Sequence, residues 1–358
     1  MARKLVAALV AVAALAGCGS EDPEPSAETQ PAAEADLGAI KDYLLAHTAT
    51  LRQHTAALAA DAEAYHAAAE ETGFDYPRLL DQRREEVAAL VERMQTTFRK
   101  ANPAYEEMEG VVAGVPSLAD FDVIIDAGGD KSDPENAVPF SIRTPAGKTY
   151  EQPGNFFFLL ETSLWGTEPR FAAQGVEPDL DGDGKAGFGE ALPDADFLVA
   201  AARDFAANAS ELEAAAREWR PTPQDAFTAL VVMTPTMSEY FEAWKNSRFV
   251  AGADAEESSF VAASRLQDIA DILGGLLLIY DNVRPAVAET DSQQARQTGS
   301  ELEDLESFAA RLRDEEAGGR RFTAREADTL GSEAQDRAEA IAGQVSQAAG
   351  RLGITLEN

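Results

Sequence analysis

Between residues 40 and 112 apolar side chains recur in steps of three and four. Ile40, Leu44, His47, Leu51, His54, Leu58, Ala62 and Tyr65 form one stripe, which predicts a long helix with a single buried face. Asp75 ahead of Pro77 signals the start of a second helix, running through Leu80, Val87, Leu90, Met94 and Phe98. Asn102-Pro103 predicts a kink or restart, with Tyr105, Met108 and Val112 continuing the apolar face. From Gly114 to Gly154 the period breaks up among Gly and Pro, with short β-favouring pieces such as Phe121–Ile125. A short apolar helix from Asn155 to Trp165 follows. Five more helical stretches are expected near 194–217, 224–246, 256–282, 290–316 and 323–351, with breaks at Pro221, Pro223, Gly252, Pro285 and Gly318-Gly319. The longest apolar run, Ile272 to Tyr280, contains Gly274 and Gly275 and reads as a buried helix in close contact with another. The pattern predicts an all-α chain of two packed antiparallel helical bundles with an irregular, loop-rich connecting region. The expected divisions are a first bundle at 36–193 and a second at 194–358.

Charge narrows the partners. There are 63 acidic residues against 30 basic, a formal net charge of −33, which excludes nucleic acid because phosphate binding needs clustered Lys and Arg. One cysteine excludes an internal disulfide and a Cys-based zinc site. The three histidines are His47, His54 and His66, so any imidazole chemistry must recruit the first helix.

The N-terminus reads as an export signal. Arg3 and Lys4 precede an apolar run from Leu5 to Ala16, too short to span a bilayer stably. It ends in Leu15-Ala16-Gly17-Cys18, which resembles the lipobox of bacterial lipoproteins. The resemblance implies that residues 1–17 are a signal peptide and that the lone Cys18 is lipidated. Residues 18–35 then form a disordered acidic linker. The expected location is extracytoplasmic, anchored by lipid to a bacterial membrane in the periplasm or at the cell surface.

One loop carries a complete ligand pattern. Residues 179–190 fit the twelve-position EF-hand calcium loop, with Asp179, Asp181 and Asp183 at positions 1, 3 and 5 and Glu190 at position 12. Gly184 takes the sharp turn at position 6 and Lys185 would offer its carbonyl at position 7. Ala186 stands where a bulky apolar residue is usual, and Pro178 and Pro193 flank the loop in place of helices. A structural calcium clip is expected and not a sensor. The alternative is an acidic surface loop. Gly182-x-Gly184-x-x-Gly187 in the same stretch formally matches a dinucleotide fingerprint, but no strand precedes it and Asp183 would repel a pyrophosphate.

Four further segments share an order and spacing. They are Tyr105-Glu106-Glu107-Met108-Glu109, Asp120 to Asp126, Phe157 to Glu161 followed by Leu164-Trp165-Gly166, and Glu256-Glu257 with Phe260. Together they resemble the imelysin-like family, in particular its EfeO/EfeM type of periplasmic iron-uptake protein. That resemblance implies an all-helical fold of two bundles and a metal site. The family's metal-site histidine falls on Phe158 and a later one on Ala262, while the calcium loop looks like an insertion after Trp165-Gly166. What the resemblance leaves as a second metal site is Glu109, Asp126 and Glu161.

Each of these has a plainer reading. Glu109 follows Glu106 and Glu107 on what reads equally as a solvated acidic face, and Asp126 precedes Gly128-Gly129, where it could cap a turn. Glu161 sits among Phe156, Phe157, Phe158, Leu159, Leu160 and Leu164, so burial would demand a metal or a basic partner. His47 and His54, seven residues apart, are either helix-face histidines or replacements for the lost ligand. Without imidazole the site should prefer iron or another hard cation over zinc or copper. The expected function is a non-enzymatic, membrane-anchored metal-binding lipoprotein assisting iron uptake, working with an iron-permease system. The alternative is a calcium-stabilised scaffold that has lost the family site.

Overall fold

Asp36 opens the first helix by accepting the Ala39 N–H, and α1 runs Leu37–Glu71. Its stripe from Ile40 to Tyr65 is buried, with His47 and His54 at the edge. A computed structural model describes residues 35–356; the leader at 1–17, Cys18 and the linker up to residue 34 lie outside the described residues. Asp75 caps α2 (Tyr76–Val112) by accepting the Arg78 N–H. The helix passes Pro103 without interruption, and its one non-helical residue is Arg83 (φ −140°, ψ 29°). The restart expected at Asn102-Pro103 does not occur, because burial of Phe98, Ala101, Asn102 and Ala104 around it outweighs one missing helical hydrogen bond.

The region after α2 holds two departures from the pattern. Phe121–Ile125 is helical and not extended: α3 (Ala119–Asp122) continues into a five-residue π-turn, Val123–Ala127. The extended pieces lie later, where β1 (Ser141–Arg143) pairs antiparallel with β2 (Thr149–Glu151) and Ile142 faces Tyr150. Asn155 then caps α4 (Phe156–Trp165), which ends on Gly166 in the left-handed region (φ 70°).

After the loop at 172–194 come α5 (Ala195–Glu218), α6 (Pro223–Met233), α7 (Met237–Asn246) and α8 (Arg248–Ala251). The stretch expected as one helix at 224–246 is divided by a tight turn at Thr234–Thr236. Three long helices follow, α9 (Arg265–Thr290), α10 (Ser292–Ala317) and α11 (Ala324–Leu352). The helix expected from residue 256 begins at Arg265, because Ser264 takes the capping position, and it runs on through Pro285.

The fold is all-α, with the short β1–β2 ribbon the single sheet among the described residues. One bundle packs α1 against α2 and α5, with α4 on its side; the other groups α9, α10 and α11 with α6 and α7. The two meet where α2 lies along α9, and the described residues form one compact unit. No helix among the described residues is long and apolar enough to cross a membrane.

Backbone-to-backbone approach at this seam needs a glycine at position 275. A Cβ on Gly275 would sit 2.3 Å from the Glu107 carbonyl oxygen, whereas one on Gly274 would meet nothing within 4 Å. The same carbonyl accepts the Tyr43 hydroxyl at 2.7 Å, tying α1 to the seam. Gly275→Ala should therefore lower stability by about 1–3 kcal/mol. Gly274→Ala should raise it by about 0.5–1 kcal/mol through helix propensity. Urea denaturation of the two variants checks both signs, and equal effects would contradict the packing.

Candidate functional site

Asn102, Glu106 and Glu109 follow one another at steps of four and three, so they share the face of α2 that looks into the seam. All three are buried. Asn102 Nδ2 donates to Glu106 Oε1 at 2.9 Å, and the Tyr240 hydroxyl from α7 donates to Glu109 Oε1 at 2.8 Å. Tyr105, between them in sequence, donates to Asp122 Oδ1 at 2.6 Å. The π-turn delivers Asp126 to the same place. Asn155 holds that turn by donating to the carbonyls of Asp126 and Gly128, and its Oδ1 accepts the Phe158 N–H at 2.8 Å. Glu106, Glu109 and Asp126 each bring a carboxylate oxygen within 4.8 Å of the others.

The first turn of α9 supplies the opposite charge. Arg265 donates to Asp268 Oδ2 at 3.1 Å and to Asp126 Oδ2 at 3.3 Å. It lies 3.6 Å from Glu106 Oε2, an ion-pair distance beyond a good hydrogen bond. Its guanidinium carbon sits 4.5 Å from the Tyr240 ring centre and 4.6 Å from that of Phe260. One fixed cation thus faces five buried carboxyls: Glu106, Glu109, Asp122, Asp126 and Asp268.

Desolvation governs their protonation. Burial, reinforced by Asp268, Asp126 and Glu109, holds Glu106 well above the ordinary carboxylate range. Burial and the neighbouring Asp126 push Glu109 up to about 7. Burial raises Asp268 to about 6 against the pull of Arg265, and burial with Glu109 and Asp126 raises Asp122. Burial also opposes the charge of Arg265, but Asp126, Glu106, Asp268 and Glu109 hold it firmly protonated. Even so, Glu106 Oε2, Glu109 Oε2, Asn102 Oδ1 and Asp268 Oδ1 are buried without a hydrogen-bond partner. Unpartnered buried acceptors beside surplus carboxyls are what a cation would satisfy. The residues present therefore fit a hard cation held by Glu106, Glu109 and Asp126.

Glu161 is placed differently from the expectation. Its carboxylate neither joins Glu109 nor finds a basic partner; it accepts the backbone N–H groups of Phe260, Val261 and Ala262 at 2.7, 2.9 and 2.7 Å. Three amides supply what burial demanded, while burial still pushes this carboxyl up to about 7. Its work is to hold the segment ahead of α9, where Phe260 adopts φ +53°. Glu161, Asp126, Asn102, Asp268 and Phe158 nonetheless line one small cavity of about 40 Å³, enough for one water or ion. Phe158 puts a ring on that cavity and packs edge-on against Phe171, 6.1 Å between centres.

None of the three histidines joins the carboxylate cluster. His47 Nδ1 lies 2.9 Å from Glu107 Oε2, and His66 Nε2 2.9 Å from Asp196 Oδ1. Burial lowers the pKa of His54, with Lys100 adding to the effect. Glu106, Asp268, Arg265 and Asn102 escaped the sequence reading. Glu106 had a legible signal, its one-turn spacing between Asn102 and Glu109 on an otherwise apolar face. Arg265 had none, since its burial depends on the α2–α9 seam.

The loop at 179–190 leaves the bundle on a narrow base, where the Ala173 N–H meets the Leu192 carbonyl at 2.8 Å. Asp179, Asp181 and Asp183 bring carboxylate oxygens within 4.8 Å of one another. Gly184, at φ +87°, donates its N–H to Asp179 Oδ2 at 3.2 Å. The Lys185 N–H donates to Asp183 Oδ1 at 2.8 Å. Glu190 folds back to accept the Leu180 and Asp181 N–H groups at 2.7 and 2.9 Å, and the Asp181 and Gly187 amides hold its carboxyl below the ordinary range. Arg84 and Gln95 fasten the two ends to α2, through the Asp179 and Gly189 carbonyls at 2.9 and 2.8 Å. The converging aspartates and the turn at Gly184 fit a calcium ion.

No curated protein matches the chain. The imelysin family model, that of peptidase family M75, matches residues 39–347. That span runs from the first turn of α1 into the last turns of α11 and takes in the whole carboxylate centre, so the chain belongs to the imelysin family.

Proposed function

We propose that this chain is an exported, lipid-anchored imelysin that binds a hard metal cation through Glu106, Glu109 and Asp126, in the manner of the family's iron-uptake members. The observation that carries the reading is the buried cluster of five carboxyls facing one guanidinium, with acceptor oxygens left over. An all-oxygen donor set favours ferric iron, manganese or calcium over zinc or copper. Binding is the activity we put forward, because the three histidines stand outside the carboxylate cluster. Arg265 itself favours a second reading, a calcium-stabilised scaffold in which the guanidinium has taken over from the ion.

Manganese titration separates the two. The raised carboxyls Glu109 and Asp268 keep protons in the folded chain that the unfolded chain has already lost. Their contribution to stability is fully present below about pH 4 and fades as pH rises through about 7. In metal-free buffer the melting temperature should fall across that window, and manganese(II) should restore it most at pH 7. Glu109→Gln should flatten the pH dependence and weaken the restoration. Calorimetry showing no manganese(II) or ferric binding at pH 7 would leave the scaffold reading standing.

We propose calcium for the loop on the strength of its converging aspartates. Extracellular modules bind at about 10⁻⁴–10⁻³ M, and a hundredfold excess over Kd adds about 2.7 kcal/mol of stability. Calcium should raise the melting temperature of the wild type. Asp181→Asn with Asp183→Asn should abolish that rise; an unchanged rise would remove the assignment.

The tether rests on Leu15-Ala16-Gly17-Cys18. Expressed in a bacterium, the wild type should fractionate with membranes, and Cys18→Ser should not yield the lipidated mature form when its mass is measured. A mature wild-type protein without added lipid mass would count against the anchor.

A further inference from the structure

Arg265 is paired by charge more than by geometry. Its side chain is 6% exposed, yet it makes hydrogen bonds to two carboxylates only, Asp268 and Asp126. Glu106 stays at 3.6 Å, and the buried Nε–H has no partner. A guanidinium placed for bidentate recognition uses its fork in parallel hydrogen bonds. This one instead lies against the Tyr240 and Phe260 rings with its edge towards three acids. Two of those acids, Glu106 and Asp126, also belong to the three that converge within 4.8 Å. The guanidinium and a metal ion would therefore draw on the same two carboxylates.

We infer that Arg265 is a resident cation that competes with metal for Glu106 and Asp126 and so sets which cations the centre accepts. This rests on the metal-binding reading above. A weakly charged ion gains too little from Glu109 and the shared pair to hold beside a fixed positive charge, whereas an ion of high charge density does. The neutralising charge that Arg265 provides also lets the centre stay buried when no ion is bound. Removing that charge, while keeping the length and apolar bulk of the side chain, should convert the centre into a stronger and less selective divalent site.

The test uses the full chain carrying Asp181→Asn and Asp183→Asn, so that the loop contributes no heat. Manganese(II) chloride is titrated by calorimetry, and melting temperature is followed with and without the ion. Arg265→Met should bind manganese(II) at least tenfold more tightly than the parent and gain a larger rise in melting temperature. Arg265→Lys, which restores the charge, should behave as the parent. A folded Arg265→Met with parental affinity overturns the inference, as does an equal gain in Arg265→Lys, since charge would then not be the cause. Should Arg265→Met not fold, Arg265→Met with Asp268→Asn removes one charge of each sign and keeps Glu106, Glu109 and Asp126; it should show the same gain, and no gain overturns the inference. A parent that binds neither manganese(II) nor ferric iron, beside an Arg265→Met that binds manganese(II), supports the inference and ends the metal-binding reading of the wild type. A parent that binds, beside a variant that gains nothing, does the reverse.

Discussion

Five carboxyls and one guanidinium, withdrawn from water where α2 crosses α9, impose the central constraint on this molecule. Ionised acids at such density repel one another strongly in a medium of low effective dielectric. They persist only because each is protonated, paired or hydrogen-bonded, and every neighbouring element contributes to that. Tyr240 from α7 and Tyr105 from α2 donate hydroxyls, Asn102 donates an amide, and Arg265 brings the compensating charge. The π-turn at Val123–Ala127 serves the same end. A π-turn costs helical regularity, and here it delivers Asp126 to the centre while Asn155 secures the carbonyls it leaves free.

The surrounding loops lean on the same centre. Glu161 on α4 holds the N–H groups of residues 260–262 and thereby fixes the entry to α9. Thr167, just past α4, donates to the Ser258 carbonyl at 2.6 Å, and Arg99 on α2 donates to that of Ala262 at 3.2 Å. The acidic loop at 179–190 reaches α8 and α4 from outside, with Phe188 beneath the Arg248 guanidinium at 3.1 Å and Gly189 near Trp165. α4 is thus a short, almost wholly buried strut between the carboxylate centre and two loops. Its ten residues have few exposed positions, which is why the run from Phe156 to Trp165 is so apolar.

Two residues without a ligating side chain meet beside the centre. Phe158 lines the small cavity there, and Ala262 contributes its backbone N–H to Glu161. Arg265, at the centre itself, is a group that cannot ligate and cannot lose its proton. The chemistry of the centre is consequently all oxygen and all charge.

Much of this was legible along the chain. Steps of three and four gave α1 and α2, because a buried helical face must recur at that period, and the apolar run from Asn155 to Trp165 gave α4. Asp75, Asn155 and the break at Gly318-Gly319 gave boundaries through local capping chemistry. The EF-hand spacing of Asp179, Asp181 and Asp183 was local as well, and the three aspartates converge, with Arg84 of α2 holding Asp179 from outside the loop. Local patterns misled where packing overrode them, at Pro103 and at Phe121–Ile125. What only the tertiary structure decided is which acids share a site. Glu106 and Asp268 are 162 positions apart in sequence yet both face Arg265, and Glu161, whose apolar neighbours did announce burial, is satisfied by backbone amides about a hundred residues away. A sequence shows that a charge will be buried through the residues beside it. Its partner comes from another element, and the helix crossing that brings it there depends on side-chain packing along the whole seam.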